Sequence, residues 1–217
     1  DGTNIFIMGG ALTGPGVPQT TVYRYNVGLD TYTTLAPFTV GTWNHAAVYF
    51  NGKIYKFAGT NAAAVPNNAL EIYDIAGNSW TTGAVYPAAT SFVSAFEQGG
   101  FIWAAGGITT GTVPTLKTYR YDPVANTWDD AAMADLPATR WGAASAFYNG
   151  GGVLAGGYVA GAATANISNT AISWDPGTNS WSSLPNMLAE RARMTGAVLG
   201  GSLYVIGGRS IASSGFV

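Results

Sequence analysis

The 217-residue chain has no cysteine and one histidine, His45. Without thiols there are no disulfides, no thiolate metal centre and no cysteine nucleophile, and one imidazole cannot build an ordinary zinc or copper site. Charge is scarce as well: nine Lys and Arg against eleven Asp and Glu give a net −2. Cations so few and so scattered do not draw a phosphate backbone or an acidic membrane, so nucleic acid is not an expected partner. No apolar run reaches membrane-spanning length and no window has the basic start and apolar centre of a signal peptide, so direct membrane insertion is not expected either. No Ser-His-Asp constellation can be assembled and no carboxylates pair for acid–base work. We therefore assign no catalytic residue, no metal ligand and no cofactor from the sequence.

What the chain does have is 30 glycines, 10 prolines and 13% aromatic residues, a composition of short buried strands joined by tight turns. These are organised as a repeat. An apolar strand closed by two small residues recurs as IFIMGG (5–10), KIYKFAG (53–59), FIWAAGG (101–107), GGVLAGG (151–157) and SLYVIGG (202–208). The closing glycines Gly10, Gly59, Gly107, Gly157 and Gly208 are 49, 48, 50 and 51 residues apart. A second element follows each of the first four: YRYNVGLDTY (23–32), IYDIAGNSW (72–80), YRYDPVANTW (119–128) and SWDPGTNSW (173–181). A fixed period of this length means that one supersecondary unit buries its faces against its neighbours.

A hydrophobic strand closed by a double glycine, then Tyr-Asp, then Trp, resembles the kelch repeat, and the resemblance covers the whole chain. Its departures are Ala58-Gly59 for one double glycine, Tyr25-Asn26 for a Tyr-Asp and Tyr32 for a tryptophan. The resemblance implies an all-β fold, a kelch-type β-propeller of four-stranded antiparallel blades. The strand order gives three complete and two incomplete blades: I (1–38, lacking its first strand), II (43–86), III (91–137), IV (140–187) and V (191–217, ending after its second strand). All belong to one propeller domain. A closed ring of six or seven such blades needs about 300 or more residues. With Asp1 rather than Met at its start, the chain reads as an interior fragment; the rival reading is a chain that closes its open edges against another subunit.

Antiparallel neighbours sort the loops onto two faces. One carries the hairpin turns Asn51-Gly52, Gly99-Gly100, Asn149-Gly150 and Gly200-Gly201 with the compact turns opened by Asp74, Asp122 and Asp175, and reads as structural. The other carries the loops after the small pair (11–21, 60–69, 108–117, 158–169) and the crossovers at 37–43, 87–91, 137–141 and 186–192. Long loops on a rigid scaffold are where binding sits, so this is the candidate functional face; the alternative is that the loops are packing between blades. Arg140 and Arg191 are equivalent, each 17 residues ahead of the closing glycine, where blades II and III carry Thr42 and Thr90. Two readings stand. Either the arginines clamp a carboxylate or sulfate, with Arg193, Trp43, Trp141 and Asn44 as further polar or stacking surface, or they tie neighbouring blades through backbone carbonyls. His45 sits where kelch repeats commonly carry a histidine, which implies a structural role. Asn166-Ile167-Ser168 is a glycosylation sequon in one long loop.

The function expected from these features is a non-catalytic interaction module in a larger, exported or cell-surface protein, holding another protein or a glycan by its long-loop face or rim. Two alternatives remain. One is a sugar-acting kelch enzyme, mutarotase-like or galactose-oxidase-like, with its remaining site residues elsewhere. The other is a structural subunit that docks through open propeller edges.

Overall fold

A computed structural model describes residues 2–12, 16–161 and 166–210. The chain divides into two compact units, Asp1–Ser91 and Phe92–Val217. The first holds β1 (Asn4–Met8), β2 (Val22–Asn26) and β3 (Thr31–Leu35) in one three-stranded antiparallel sheet. A four-stranded sheet follows: β4 (Ala46–Phe50), β5 (Lys53–Phe57), β6 (Leu70–Asp74) and β7 (Ser79–Thr82), with the short β8 (Thr90–Ser91) ending the unit. These sheets correspond to blades I and II, with three and four strands among the described residues.

The second unit opens with blade III: β9 (Ser94–Gln98), β10 (Phe101–Ala105), β13 (Thr118–Asp122) and β14 (Thr127–Asp129). Between β10 and β13 its long loop folds into a small hairpin, β11 (Ile108–Thr109) and β12 (Val113–Pro114), around a 3-10 turn at Thr110–Thr112. The repeat pattern did not foretell this hairpin, because two-residue strands leave no alternation to read. Blade IV is β15 (Ala144–Tyr148), β16 (Gly151–Ala155), β17 (Ala171–Asp175) and β18 (Ser180–Leu184). Blade V contributes β19 (Thr195–Leu199) and β20 (Ser202–Ile206). The fold is thus all-β, built of kelch-type propeller blades, three of them four-stranded.

The small pair marks where one blade meets the next. In blade III Gly106 donates to the Lys117 carbonyl just ahead of its own third strand (2.9 Å), while Gly107 donates to the Arg140 carbonyl of blade IV (2.9 Å). Gly106 and Gly107 have φ of 67° and 106°, and a β-carbon on Gly106 would fall on the Arg140 carbonyl, so that position admits no side chain. Gly157 repeats the second bond to Arg191 of blade V at 2.7 Å.

A second tie explains the Tyr/Trp-to-Asn/Asp spacing. Tyr73, Tyr121 and Trp174 donate to the side-chain oxygens of Asn78, Asn126 and Asn179 (2.7, 2.7 and 2.9 Å), each asparagine in the left-handed region. Asn78 also accepts from Ala36 N (2.9 Å) and Trp80 donates to the Ala36 carbonyl (2.8 Å), so blade II grips both backbone groups of one residue in blade I. Asn179 and Trp181 grip Ala134 in the same way (2.7 and 2.8 Å). Blade I carries Tyr25, Asp30 and Tyr32 in these places, with Tyr25 donating to Asp30 at 2.7 Å. Asp74, Asp122 and Asp175 accept from amides two residues on at 3.0, 2.8 and 2.8 Å, capping their turns.

The most heavily buried charge lies in blade II. Lys56 and Glu71, directly opposed on β5 and β6, are 0% and 2% exposed and form an ion pair of 2.9 Å. Glu71 Oε1 accepts from Thr39 N (2.7 Å) and Val40 N (3.2 Å), and Lys56 donates to the Val40 carbonyl (3.0 Å). The ammonium also lies 4.2 Å from the centre of the Phe38 ring. Together they pin the crossover from blade I to blade II. Burial pushes the Lys56 ammonium below its usual pKa, and the Glu71 carboxylate opposes that shift.

Candidate functional site

The crossovers deliver each chain segment to the long-loop face just ahead of the first strand of a blade. Counting back 15 residues from the closing glycines of blades II to V gives Asn44, Phe92, Gly142 and Arg193, and all four have positive φ (53°, 58°, 61° and 61°). Within the second unit this turn lets successive blades join at the backbone. Gly142 N donates to the Phe92 carbonyl (3.1 Å) and Arg193 N to the Gly142 carbonyl (2.6 Å). Left-handed backbone at Phe92 and Arg193 costs free energy, and the interblade bonds hold it in place. Phe92 and Gly142 were absent from the sequence-based candidates: an apolar ring and a glycine carry no chemical signal alone, although the 15-residue register singles them out.

The side chains in this row form a layered cluster. The Arg193 guanidinium lies 5.0 Å from the Phe92 ring centre and 5.8 Å from that of Trp141. Phe92 meets Trp141 edge-on at 5.0 Å, and Trp141 stacks on Tyr158 at 3.9 Å with 7° between the planes. Trp141 is held by its Nε1, which donates to the Ala160 carbonyl at 2.9 Å. Ile108, Ile167 and Ala192 complete the apolar floor. The Tyr158 hydroxyl is buried without a hydrogen-bond partner among the described residues. Arg193 itself is exposed, and among the described residues no hydrogen bond or ion pair engages its guanidinium.

Arg140 is placed differently. It is 5% exposed and turns inward, donating from Nη1 to the Gly156 and Thr170 carbonyls (3.2 Å for the latter) and from Nη2 to Thr170 Oγ1 (2.9 Å). Burial lowers its pKa. Its groups belong to blade IV, so the guanidinium stitches the second and third strands of its own blade at the loop end. Arg191, its equivalent in blade V, is half-buried and among the described residues makes one such bond, to the Gly207 carbonyl at 3.2 Å. Arg191 also borders a cavity with Met187, Leu188, Ala189, Leu203 and Val205. The second unit thus lays the exposed Arg193 over the buried Trp141, which is 1% exposed, and commits Arg140 to the interior.

In the first unit, Trp43 is half-buried and bridges to Thr60 through the backbone (3.0 and 2.7 Å), while Asn44 is exposed beside it. His45 follows, with Nδ1 3.1 Å from the Thr42 carbonyl and 3.3 Å from Thr42 Oγ1. Burial, reinforced by the Lys56 charge, lowers its pKa to about 4, so the ring is neutral at pH 7. Its Cε1 occupies the space a β-carbon on Gly9 would need. This is a packing histidine that joins blades I and II. The Asn166 amide of the sequon donates to the Gly161 carbonyl (2.8 Å) and Ile167 is buried; neighbouring residues 162–165 of that loop, like 13–15 of the first long loop and 211–217, lie outside the described residues. Among the described residues no three His, Cys, Asp or Glu side chains are grouped to hold a metal ion, and no helix is long and apolar enough to cross a membrane.

The KLHDC2/KLHL20/DRC7 Kelch-repeats domain matches residues 1–210. No curated protein matches the sequence. Among solved structures the one described as that of YjhT is similar, with a TM-score of 0.80 at 18% identity, covering 96% of this chain and 75% of that one. At that identity the likeness is one of fold.

Proposed function

The chain belongs to the kelch-repeat family, and on that footing we propose that it is a non-catalytic interaction module which seats an anionic group of a partner protein on Arg193 at its long-loop face. The observation that carries the reading is an exposed arginine whose guanidinium lies over Phe92 and Trp141 with its donors unspent among the described residues. An arginine steadied on aromatic rings and unpaired is suited to bidentate capture of a carboxylate. Trp43 and Asn44 would extend the same kind of surface on the first unit. Arg191 supplies a further cation, whereas Arg140 serves the blade. A carboxylated or sulfated glycan is the other ligand this arginine suits, and export to the cell surface would bring the module to either.

The test is to probe an acidic-peptide array and an anionic-glycan array with the wild-type chain and with Arg193→Gln. Our reading expects peptide hits that weaken at least about tenfold in the variant, the scale of hydrogen bonds to a charged group. Hits that survive the substitution, or appear only on glycans, would overturn it in its protein-binding form. Turnover of a sugar would favour the enzyme alternative. Concentration-dependent self-assembly in sedimentation would favour docking through open edges.

A further inference from the structure

Gly142 stands between Phe92 and Arg193 in the row of left-handed residues, and it alone of those three lacks a side chain. A β-carbon built on it would sit 3.6 Å from Arg193 Cγ and 3.7 Å from Phe92 Cδ1. The two neighbouring side chains therefore close over the space that a side chain at position 142 would fill. Because that space is free, Arg193 reaches across blade IV to lie 5.0 Å from the Phe92 ring of blade III and 5.8 Å from Trp141 beneath. Asn44, at the equivalent position of blade II, shows that the repeat does not demand glycine here, since its φ of 53° matches the 61° of Gly142.

We propose that the missing side chain at Gly142 is a specificity-determining feature of the loop face: it allows Phe92 and Trp141 to hold Arg193 in one orientation, ready for a carboxylate. The inference rests on the reading of Arg193 as the anion anchor. Gly142 is a positioning residue and touches no ligand. Fixing one rotamer-rich side chain in advance removes an ordering cost otherwise met on binding, worth about three- to tenfold in affinity. The aromatic face takes up one side of the guanidinium and leaves its N–H edge for a flat, two-oxygen acceptor.

The experiment titrates sodium acetate into the isotope-labelled chain and follows the side-chain NMR signals of Arg193 and Trp141. It compares wild type with Arg193→Gln, Gly142→Ala and Gly142→Asn. Wild type should show ring-current-shifted Arg193 side-chain protons and a saturable acetate response that Arg193→Gln removes. Gly142→Ala should keep both, because its methyl meets its neighbours at ordinary contact distance and Ala58 already adopts φ of 60° in this chain. Gly142→Asn should drive Arg193 off the rings, erase the ring-current shift and weaken acetate about three- to tenfold. An unchanged shift and unchanged affinity in Gly142→Asn overturns the proposal. Should that variant fail to fold, Phe92→Leu removes the ring from the other side and must produce the same two losses. A wild-type chain with the ring-current shift but no saturable response refutes the anion reading, and the shift comparison between Gly142→Ala and Gly142→Asn then decides the positioning claim by itself.

Discussion

Replacing Lys56 by Met should be among the most damaging single substitutions in the first unit, although no part of the ammonium reaches solvent. The change leaves the Glu71 carboxylate, 2% exposed, without its counter-charge and removes the donor to the Val40 carbonyl. Breaking a buried pair from one side costs about 3–5 kcal/mol. The Thr39 and Val40 amides continue to donate to the carboxylate, so the loss should fall near the lower end, about 3 kcal/mol. Glu71→Gln should cost a similar amount, because Lys56 is then the stranded charge. The double variant Lys56→Met with Glu71→Gln buries no charge and keeps a side-chain oxygen for the two amides. It should therefore lie within about 1 kcal/mol of wild type, since uncharged replacements of buried pairs are often near neutral. Urea unfolding followed by tryptophan fluorescence, with Trp43 and Trp80 reporting on this region, measures all four proteins. The reasoning fails if the singles cost less than about 1 kcal/mol, or if the double costs as much as their sum.

His45 predicts the pH profile. Its folded pKa of about 4 lies below the ordinary 6.5, so the unfolded chain binds a proton that the folded one refuses between those values. The stability this histidine permits is full above about pH 6.5 and falls as pH drops towards 4, by about 2 kcal/mol between pH 7 and pH 5. Urea midpoints of wild type and His45→Asn at the two pH values should differ by that amount only in wild type. Arg140→Met should cost about 3 kcal/mol or more, against about 1 for Arg191→Met, because it removes a buried cation's bonds to two carbonyls and a hydroxyl rather than one bond. Equal losses in thermal unfolding of the two variants would contradict that ranking. Gly152→Ala should destabilise blade IV by about 1–3 kcal/mol, since its methyl would fall on the Phe96 ring; an unchanged melting temperature would show that the ring can move aside.

Most of the blade plan could be read from the sequence, because the signals that build it recur in register. The Asp that caps a turn does so in blades II, III and IV, and the Trp of blades II and IV grips one residue of the preceding blade. What escaped notice was specific to single blades. Lys56 and Glu71 lie 15 residues apart and meet only because β5 and β6 pair in that register; no other blade carries the pair. The crossover tie is also reversed there. In blade IV a crossover arginine reaches into the strands, whereas in blade II a strand lysine reaches out to the crossover at Val40. The equivalence of Arg140 and Arg191 was legible, but their orientation was not, because it depends on a third strand placing Thr170 beside Arg140. Phe92 and Gly142 matter by position: only the shared left-handed turn shows that they flank Arg193.

The most direct test of the central claim is a chemical-shift footprint of the labelled chain with the tightest acidic peptide recovered from the array. Our account predicts changes centred on Arg193, Trp141 Nε1 and Phe92, with the opposite-face turns Asn51-Gly52 and Asn149-Gly150 unmoved. A footprint centred on those turns, with Arg193 silent, would contradict it.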